Sequence, residues 1–277
     1  MSAAVLERMT NTTLLLGGTG KTGRRVAARL AAHDIDVRIG SRRGTPPFDW
    51  TDESTWPGVL DGVRALYVTY YPDLAIPGAA ERVGALTELA VAHGVEQIVL
   101  LSGRGEEVAQ AAERALQRAG TNWTVVACGW FNQNFSEDFL LDFVLGGDIV
   151  LPAGDMVEPF VDADDIADVV TAALTDPRHR GVRYELTGPR ALSFAEVAAE
   201  LSRATGRTIT YTPVDAERFA GVLRQHDLPP ELGDVFTTVL DGRNAHPTDG
   251  VRQALGRPAR DFSDFAREAA ATGVWKV

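Results

Sequence analysis

The chain has 277 residues, 45% of them hydrophobic and 23% charged, which suits one large soluble domain or a domain with a smaller lobe. A formal net charge of −11 argues against nucleic acid or an anionic membrane as a partner. The single cysteine, Cys128, excludes an internal disulfide and fits a cytoplasmic protein, and with the five scattered histidines it makes no metal-ligand pattern.

Met1–Asn11 reads as a short loose extension of mixed polarity rather than a signal peptide, and no apolar run approaches the length of a membrane span. The first element follows at once, in the run TLLLGGTGKTGRRVAARL from Thr13 to Leu30. An apolar strand (Leu14, Leu15, Leu16) ends in a glycine cluster, and an amphipathic helical pattern (Val26, Ala27, Leu30) follows. Gly17, Gly20 and Gly23 recur every third residue. Such glycines permit a sharp turn, close approach of backbone to a pyrophosphate, and tight helix–strand packing. The N–H groups and dipole at the helix start then favour the anion. The turn Gly17, Gly18, Thr19, Gly20, Lys21, Thr22, Gly23 is therefore assigned to a dinucleotide. Gly20-Lys21-Thr22 also looks like the end of an NTPase phosphate loop, but that loop requires glycine where Leu15 stands.

The second strand, Val37–Ile39, runs into Gly40-Ser41-Arg42-Arg43 with no acid at its end to take the ribose hydroxyls of NAD. Ser41 and the arginine guanidiniums suit a 2′-phosphate, so the expected cofactor is NADP(H). The chain carries only two lysines, Lys21 and Lys276, against 25 arginines, which makes Lys21 stand out beside the expected phosphates. Next come Pro46-Pro47-Phe48-Asp49-Trp50, a strand at Ala65–Val68, a helix from Pro77 to His93, a strand Gln97–Leu101 ending in Ser102-Gly103, a helix Glu106–Ala119 and a strand Trp123–Ala127. Alternating βα units with continuous apolar strands predict a Rossmann-type, doubly wound parallel sheet, with ligand at the strands' carboxyl ends. Those ends gather Gly17–Gly23, Ser41 and Arg42, Thr69–Pro72, Ser102 and Gly103, and Cys128–Phe131; Thr69, Ser102 and Gly103 join the cofactor set.

The rhythm then changes. Asp148–Leu151 reads as a strand, Asp162–Leu174 as a helix with acids in its first turn, Arg183–Leu186 as a strand, and Ser193–Thr205 as a helix with a Ser193/Glu196 capping box. Ile209–Pro213 is extended and the tail is helical with proline breaks. The expected division is an NAD(P)-binding domain over 12–150 and a smaller C-terminal α/β lobe over 151–277 that shapes a substrate pocket.

The stretches GGTGKTGRRVA, GSRRG, IVLLSG, WFNQNF and PFVDADDIADVV resemble an atypical short-chain dehydrogenase/reductase of the NmrA-like group, across essentially the whole chain. The GGTGKTG, GSRRG and FDW run is also similar to the fungal festuclavine/agroclavine dehydrogenases, which reduce an iminium carbon with NADPH. The resemblance implies that Gly17, Gly20, Gly23, Ser41 and Arg42 carry the cofactor and that Asp49 contacts adenine. The chain departs from the superfamily in having no Tyr-x-x-x-Lys pair, and Cys128-Gly129 replaces the usual Arg-Pro.

The candidate acceptors are an iminium, an enone, a quinone or a ketone; without that pair an iminium, already positive, needs no acid, and a quinone or an enone can take its proton from solvent or a nearby hydroxyl. Tyr70, Tyr71 and Ser102 are the candidate catalytic groups. Tyr70, Tyr71, Trp130, Phe131, Asn132 and Phe160 are the candidate substrate contacts, as an apolar wall that excludes water. Phe135 and Phe139, at helical spacing, read as core, Cys128 as a packed residue, and Asp162, Asp164, Asp165 and Asp168 as capping and dipole compensation rather than a metal cluster. The expected function is an NADPH-dependent reductase of a small conjugated or aromatic substrate, with neither nucleic acid nor membrane as partner and a homodimer left open. The alternative is a non-catalytic NADP(H)-binding redox sensor of the NmrA type. An isomerase or epimerase using the cofactor transiently is a third.

Overall fold

The computed structural model describes residues 12–74, 76–225, 233, 236 and 240–277. The extension expected at Met1–Asn11 and part of the expected helical tail lie outside the described residues. β1 (Thr12–Leu16) passes through the glycine turn into α1 (Lys21–Ala32), then β2 (Val37–Gly40), α2 (Trp56–Leu60), β3 (Val63–Val68), α3 (Ala79–Ala92), β4 (Gln97–Gly103), α4 (Glu107–Arg118) and β5 (Asn122–Cys128). After β5 come α5 (Asn134–Glu137), α6 (Leu140–Gly146), β6 (Asp148–Leu151), β7 (Val157–Glu158), α7 (Ala163–Thr175) and β8 (Val182–Leu186). They are followed by β9 (Leu192–Ser193), α8 (Phe194–Thr205), β10 (Thr210–Pro213), α9 (Ala216–Gln225), α10 (Gly250–Leu255) and α11 (Phe262–Thr272).

These elements form two compact units. The first takes the described residues up to Cys128, with Ala163–Leu186 and Gly250–Arg257. The second takes Gly129–Asp162, the described part of Thr187–Asp249, and Pro258–Val277. The division differs from a single cut at 150/151, because α7 packs on α1 and β8 pairs with β5, which draws both into the first unit.

In the first unit six strands run parallel in the order β2-β1-β3-β4-β5-β8. Side chains alternate across the sheet, so Leu14, Leu66, Leu100 and Val125 share one apolar cluster with Val59, Val83, Leu86 and Leu116 of α2, α3 and α4. In α1 the buried residues Thr22, Val26 and Leu30 recur at four-residue spacing, the stripe of a helix lying on a sheet. The acids of α7 are more than a capping set. Asp164 pairs with Arg25 (3.3 Å) and Arg29 (2.9 Å), while Arg257 reaches Asp165 (2.6 Å) and Asp168 (2.5 Å). Burial alone would push the Asp164 carboxyl up, but the Arg29 and Arg25 guanidiniums outweigh it and hold it below its ordinary value.

Among its described residues the second unit has two two-stranded sheets, β6 with β10 and β7 with β9. Strands this short bury little, and aromatic side chains fill the interior. Phe135 and Phe160 are buried with ring centroids 5.6 Å apart, and the Trp275 indole N–H donates to the Phe135 carbonyl at 2.8 Å. The capping box read at Ser193 and Glu196 is present, the Glu196 amide donating to the Ser193 hydroxyl at 3.2 Å. Among the described residues no helix is long and apolar enough to cross a membrane.

Candidate functional site

The site is built on the first unit's turn between β1 and α1. Gly17 has φ +75°, the left-handed region that favours glycine, and its carbonyl accepts from the Gly20 amide at 2.9 Å. A Cβ on Gly23 would lie 2.2 Å from the Gly17 carbonyl oxygen and 2.7 Å from the Gly18 Cα, so only glycine lets α1 start this close to the turn. Gly20 is the N-cap of α1 and supplies no side-chain cap. The leading N–H groups of α1 therefore present a positive end without a competing hydroxyl or carboxylate, which fits an anionic phosphate.

The turn is latched from β3. Thr69 donates its hydroxyl to the Leu16 carbonyl at 2.8 Å, and a Cβ on Gly17 would meet that hydroxyl at 2.0 Å. Thr69, expected as a direct cofactor contact, thus spends its hydrogen on shaping the turn. Thr22 departs from expectation likewise. Its side chain is buried and accepts from the Tyr67 phenol at 3.0 Å, so its backbone, not its hydroxyl, is what it offers a phosphate. Burial pushes the Tyr67 phenol far up, the donation to Thr22 only partly offsetting it.

On the β2 side the loop folds on Ser41, whose carbonyl accepts from the amides of Gly44 (3.0 Å) and Phe48 (2.9 Å). Arg42 and Arg43 are exposed on it. Asp49 accepts from the Thr51 amide and hydroxyl, each at 2.8 Å. These bonds, the amide's first, hold its carboxyl below the ordinary value, and the charge of Arg42 adds to them. Asp49 is thus a carboxylate held by its own turn and near the Arg42 charge.

At the carboxyl end of β4, Ser102 donates to Glu113 of α4 at 2.6 Å, and both are buried. Glu113 also receives Arg183 (2.7 Å), which pairs with Glu185 (2.5 Å), which receives Arg104 (3.3 Å). Ser102, expected as a catalytic group, has its hydrogen committed to this carboxylate instead. Gly103 leaves room for Glu106, whose carboxyl carbon would lie 2.4 Å from a Cβ there. Nothing in the sequence pattern flagged Glu113, because a Glu on an amphipathic helix ordinarily faces water.

Tyr71 is 74% exposed, whereas Tyr70 is half-buried against Trp50, ring centroids 4.6 Å apart. In the second unit Trp130 packs on Phe194 and Phe236, Phe131 pairs with Val161, and Asn132 is fully buried. Phe160, expected in a substrate wall, is core: it is 2% exposed and packs on Phe135, Phe194 and Phe262. Cys128 is buried as expected, and burial pushes its thiol far up. Among the described residues no group of three or more His, Cys, Asp or Glu is placed to hold a metal.

The chain is 31% identical over 287 residues to the NAD(P)H azoreductase of Xenophilus azovorans, covering 93% of this chain and 98% of that protein. It is 29% identical to the agroclavine dehydrogenase of Claviceps fusiformis, covering 93% of this chain and 96% of that protein. The fold superposes on the triphenylmethane reductase of Citrobacter sp. complexed with NADP(H), with TM-score 0.76 at 18% identity over 93% of this chain and 99% of that one. The sequence profile of the NmrA-like family matches residues 110–264, more than half the chain, and the chain belongs to that family.

Proposed function

We propose that this protein is an NADPH-dependent reductase that passes hydride to a small conjugated or aromatic acceptor: an iminium, an enone, a quinone or a ketone. The observation that carries the reading is the turn at Gly17–Gly23, where a Cβ on Gly23 would strike the Gly17 carbonyl at 2.2 Å and α1 starts without a side-chain cap. Its relatives named as an NAD(P)H azoreductase and an agroclavine dehydrogenase support it.

The residues divide the work. The backbone amides of Gly18–Gly23, other than that of Gly20, which donates to the Gly17 carbonyl, donate to the pyrophosphate. Ser41 and Arg42 take the 2′-phosphate, the guanidinium supplying a forked, charge-assisted contact. Asp49 accepts from the adenine amine. When bound, reduced nicotinamide supplies the hydride. The chain's two lysines are Lys21 and Lys276, so no Tyr-x-x-x-Lys pair assists a proton transfer. Acceptors that are already cationic, or that take their proton from water, suit such a site.

Fluorescence titration with NADPH and NADH tests this, with Arg42→Ala beside the wild type and turnover then assayed with a quinone and an azo dye. NADPH-selective binding, weakened toward the NADH level in the variant and followed by turnover, is the expected result. Selective binding without turnover on any acceptor moves the protein to the redox-sensor reading. No binding overturns both.

A further inference from the structure

We infer that Tyr70, held by Arg82, belongs to the adenosine end of the cofactor site and is a specificity contact for the adenosine 2′-phosphate moiety, not a proton donor at the reacting end. The inference rests on the cofactor reading above.

Three observations carry it. First, the loop that leaves β2 bears Ser41, Arg42 and Asp49, and its next residue, Trp50, lies 4.6 Å from the Tyr70 ring. Trp50 is anchored in turn by Phe48 at 5.1 Å and Trp56 at 6.1 Å, both edge-on, and the Trp56 indole N–H donates to the Asp49 carbonyl at 2.8 Å. Tyr70 is therefore tied to the loop that carries the 2′-phosphate and adenine contacts. Second, Arg82, in the first turn of α3, donates from Nη1 to the Tyr70 oxygen at 3.0 Å. A guanidinium has no acceptor, so the phenol must be the acceptor in this bond and its own hydrogen points elsewhere. Third, that hydrogen is given to no acceptor among the described residues, and Tyr70 is neither fully buried nor fully exposed. An aromatic ring fixed by a tryptophan, with an uncommitted O–H, is fit to border a purine and donate to a purine nitrogen or a phosphate oxygen.

The test measures binding of two cofactor halves, adenosine 2′,5′-bisphosphate and reduced nicotinamide mononucleotide, to wild type, Tyr70→Phe, Arg82→Gln and Arg82→Lys, with melting curves to confirm that each variant folds. Loss of one hydrogen bond is expected to weaken the bisphosphate by about three- to tenfold in Tyr70→Phe. Arg82→Gln follows, Arg82→Lys recovers part of the loss, and binding of the mononucleotide does not move. Unaltered bisphosphate affinity in Tyr70→Phe overturns the inference, and a turnover loss alongside it returns Tyr70 to the reacting end. If wild type binds neither NADPH nor the bisphosphate, the cofactor reading fails and takes this inference with it.

Discussion

The hydroxyl of Ser102 and the carboxylate of Glu113 meet at 2.6 Å in the interior of the first unit, with Ser102 as donor. The bond joins the end of β4 to α4, and Arg183 completes it from β8. By sequence Ser102 is a candidate catalytic group, but its hydrogen is directed inward. Ser102→Ala is expected to slow turnover by less than about tenfold, where loss of a general acid costs about 100-fold or more. Glu113→Gln is expected to cost about 1–2 kcal/mol of stability, because the charge on the Arg183 pairing is lost while Glu185 still holds Arg183. Stopped-flow hydride transfer and urea unfolding check the two; a 100-fold turnover loss in Ser102→Ala would reinstate it as a donor.

Gly23→Ala is expected to destabilise the protein by about 3 kcal/mol and abolish NADPH binding, since its Cβ would lie 2.2 Å from backbone that cannot move aside. Gly94→Ala is the comparison. Gly94, unlike Gly23, has a positive φ, +85°, and nothing lies within 4 Å of a Cβ there, so it tests conformation without collision. Thermal unfolding should rank Gly23→Ala well below Gly94→Ala; equal losses would mean that the close approach of α1 to the turn is not what the glycine serves.

Thr22→Val keeps the shape of the side chain but removes the acceptor of the buried Tyr67 phenol. A loss of about 1–3 kcal/mol in urea unfolding is expected from the unpaired hydroxyl. NADPH affinity should stay within about twofold, because the hydroxyl is a core contact and not a phosphate ligand. A large affinity loss at preserved stability would return Thr22 to the phosphate site.

Two partly buried carboxyls held low by arginines contribute to the acid side of the stability profile. Arg190 donates to Asp261 from Nε at 2.6 Å and, with the Ser263 bonds, holds its carboxyl well below the usual range. Asp164 is held low by Arg29 and Arg25 against its burial. A group whose folded pKa is depressed contributes stability that is fully present above its unfolded value, about 4, and is lost as pH falls through the folded value. Urea midpoints are expected to fall between pH 5 and pH 2, and Arg190→Gln should reduce that fall. An unaltered fall would show that the pair does not carry it.

Burial raises the Cys128 thiol, so the thiolate needed for attack is scarce. Ellman's reagent at pH 8 is expected to leave the native protein unreacted and to titrate one thiol per chain in urea, as the single cysteine requires. Rapid labelling of the native protein would show Cys128 to be open to solvent.

The parallel sheet, the glycine turn and the arginine-bearing loop were legible in the chain because each depends on local order: apolar runs for β1, β3, β4 and β5, glycines at fixed spacing for Gly17–Gly23, and residues adjacent to a strand end for Ser41 and Arg42. Side-chain direction was not legible. Thr22 and Thr69 stand in the expected places, yet one faces the core and the other holds the Leu16 carbonyl, because which face a hydroxyl takes depends on partners 45 and 53 residues away. The placement of α7 and β8 in the first unit, the pairing of Ser102 with Glu113 and of Tyr70 with Arg82, and the core position of Phe160 were likewise decided by the tertiary structure. Local spacing sets which backbone groups are offered to a ligand; long-range packing and charge pairing set which side chains remain free to use.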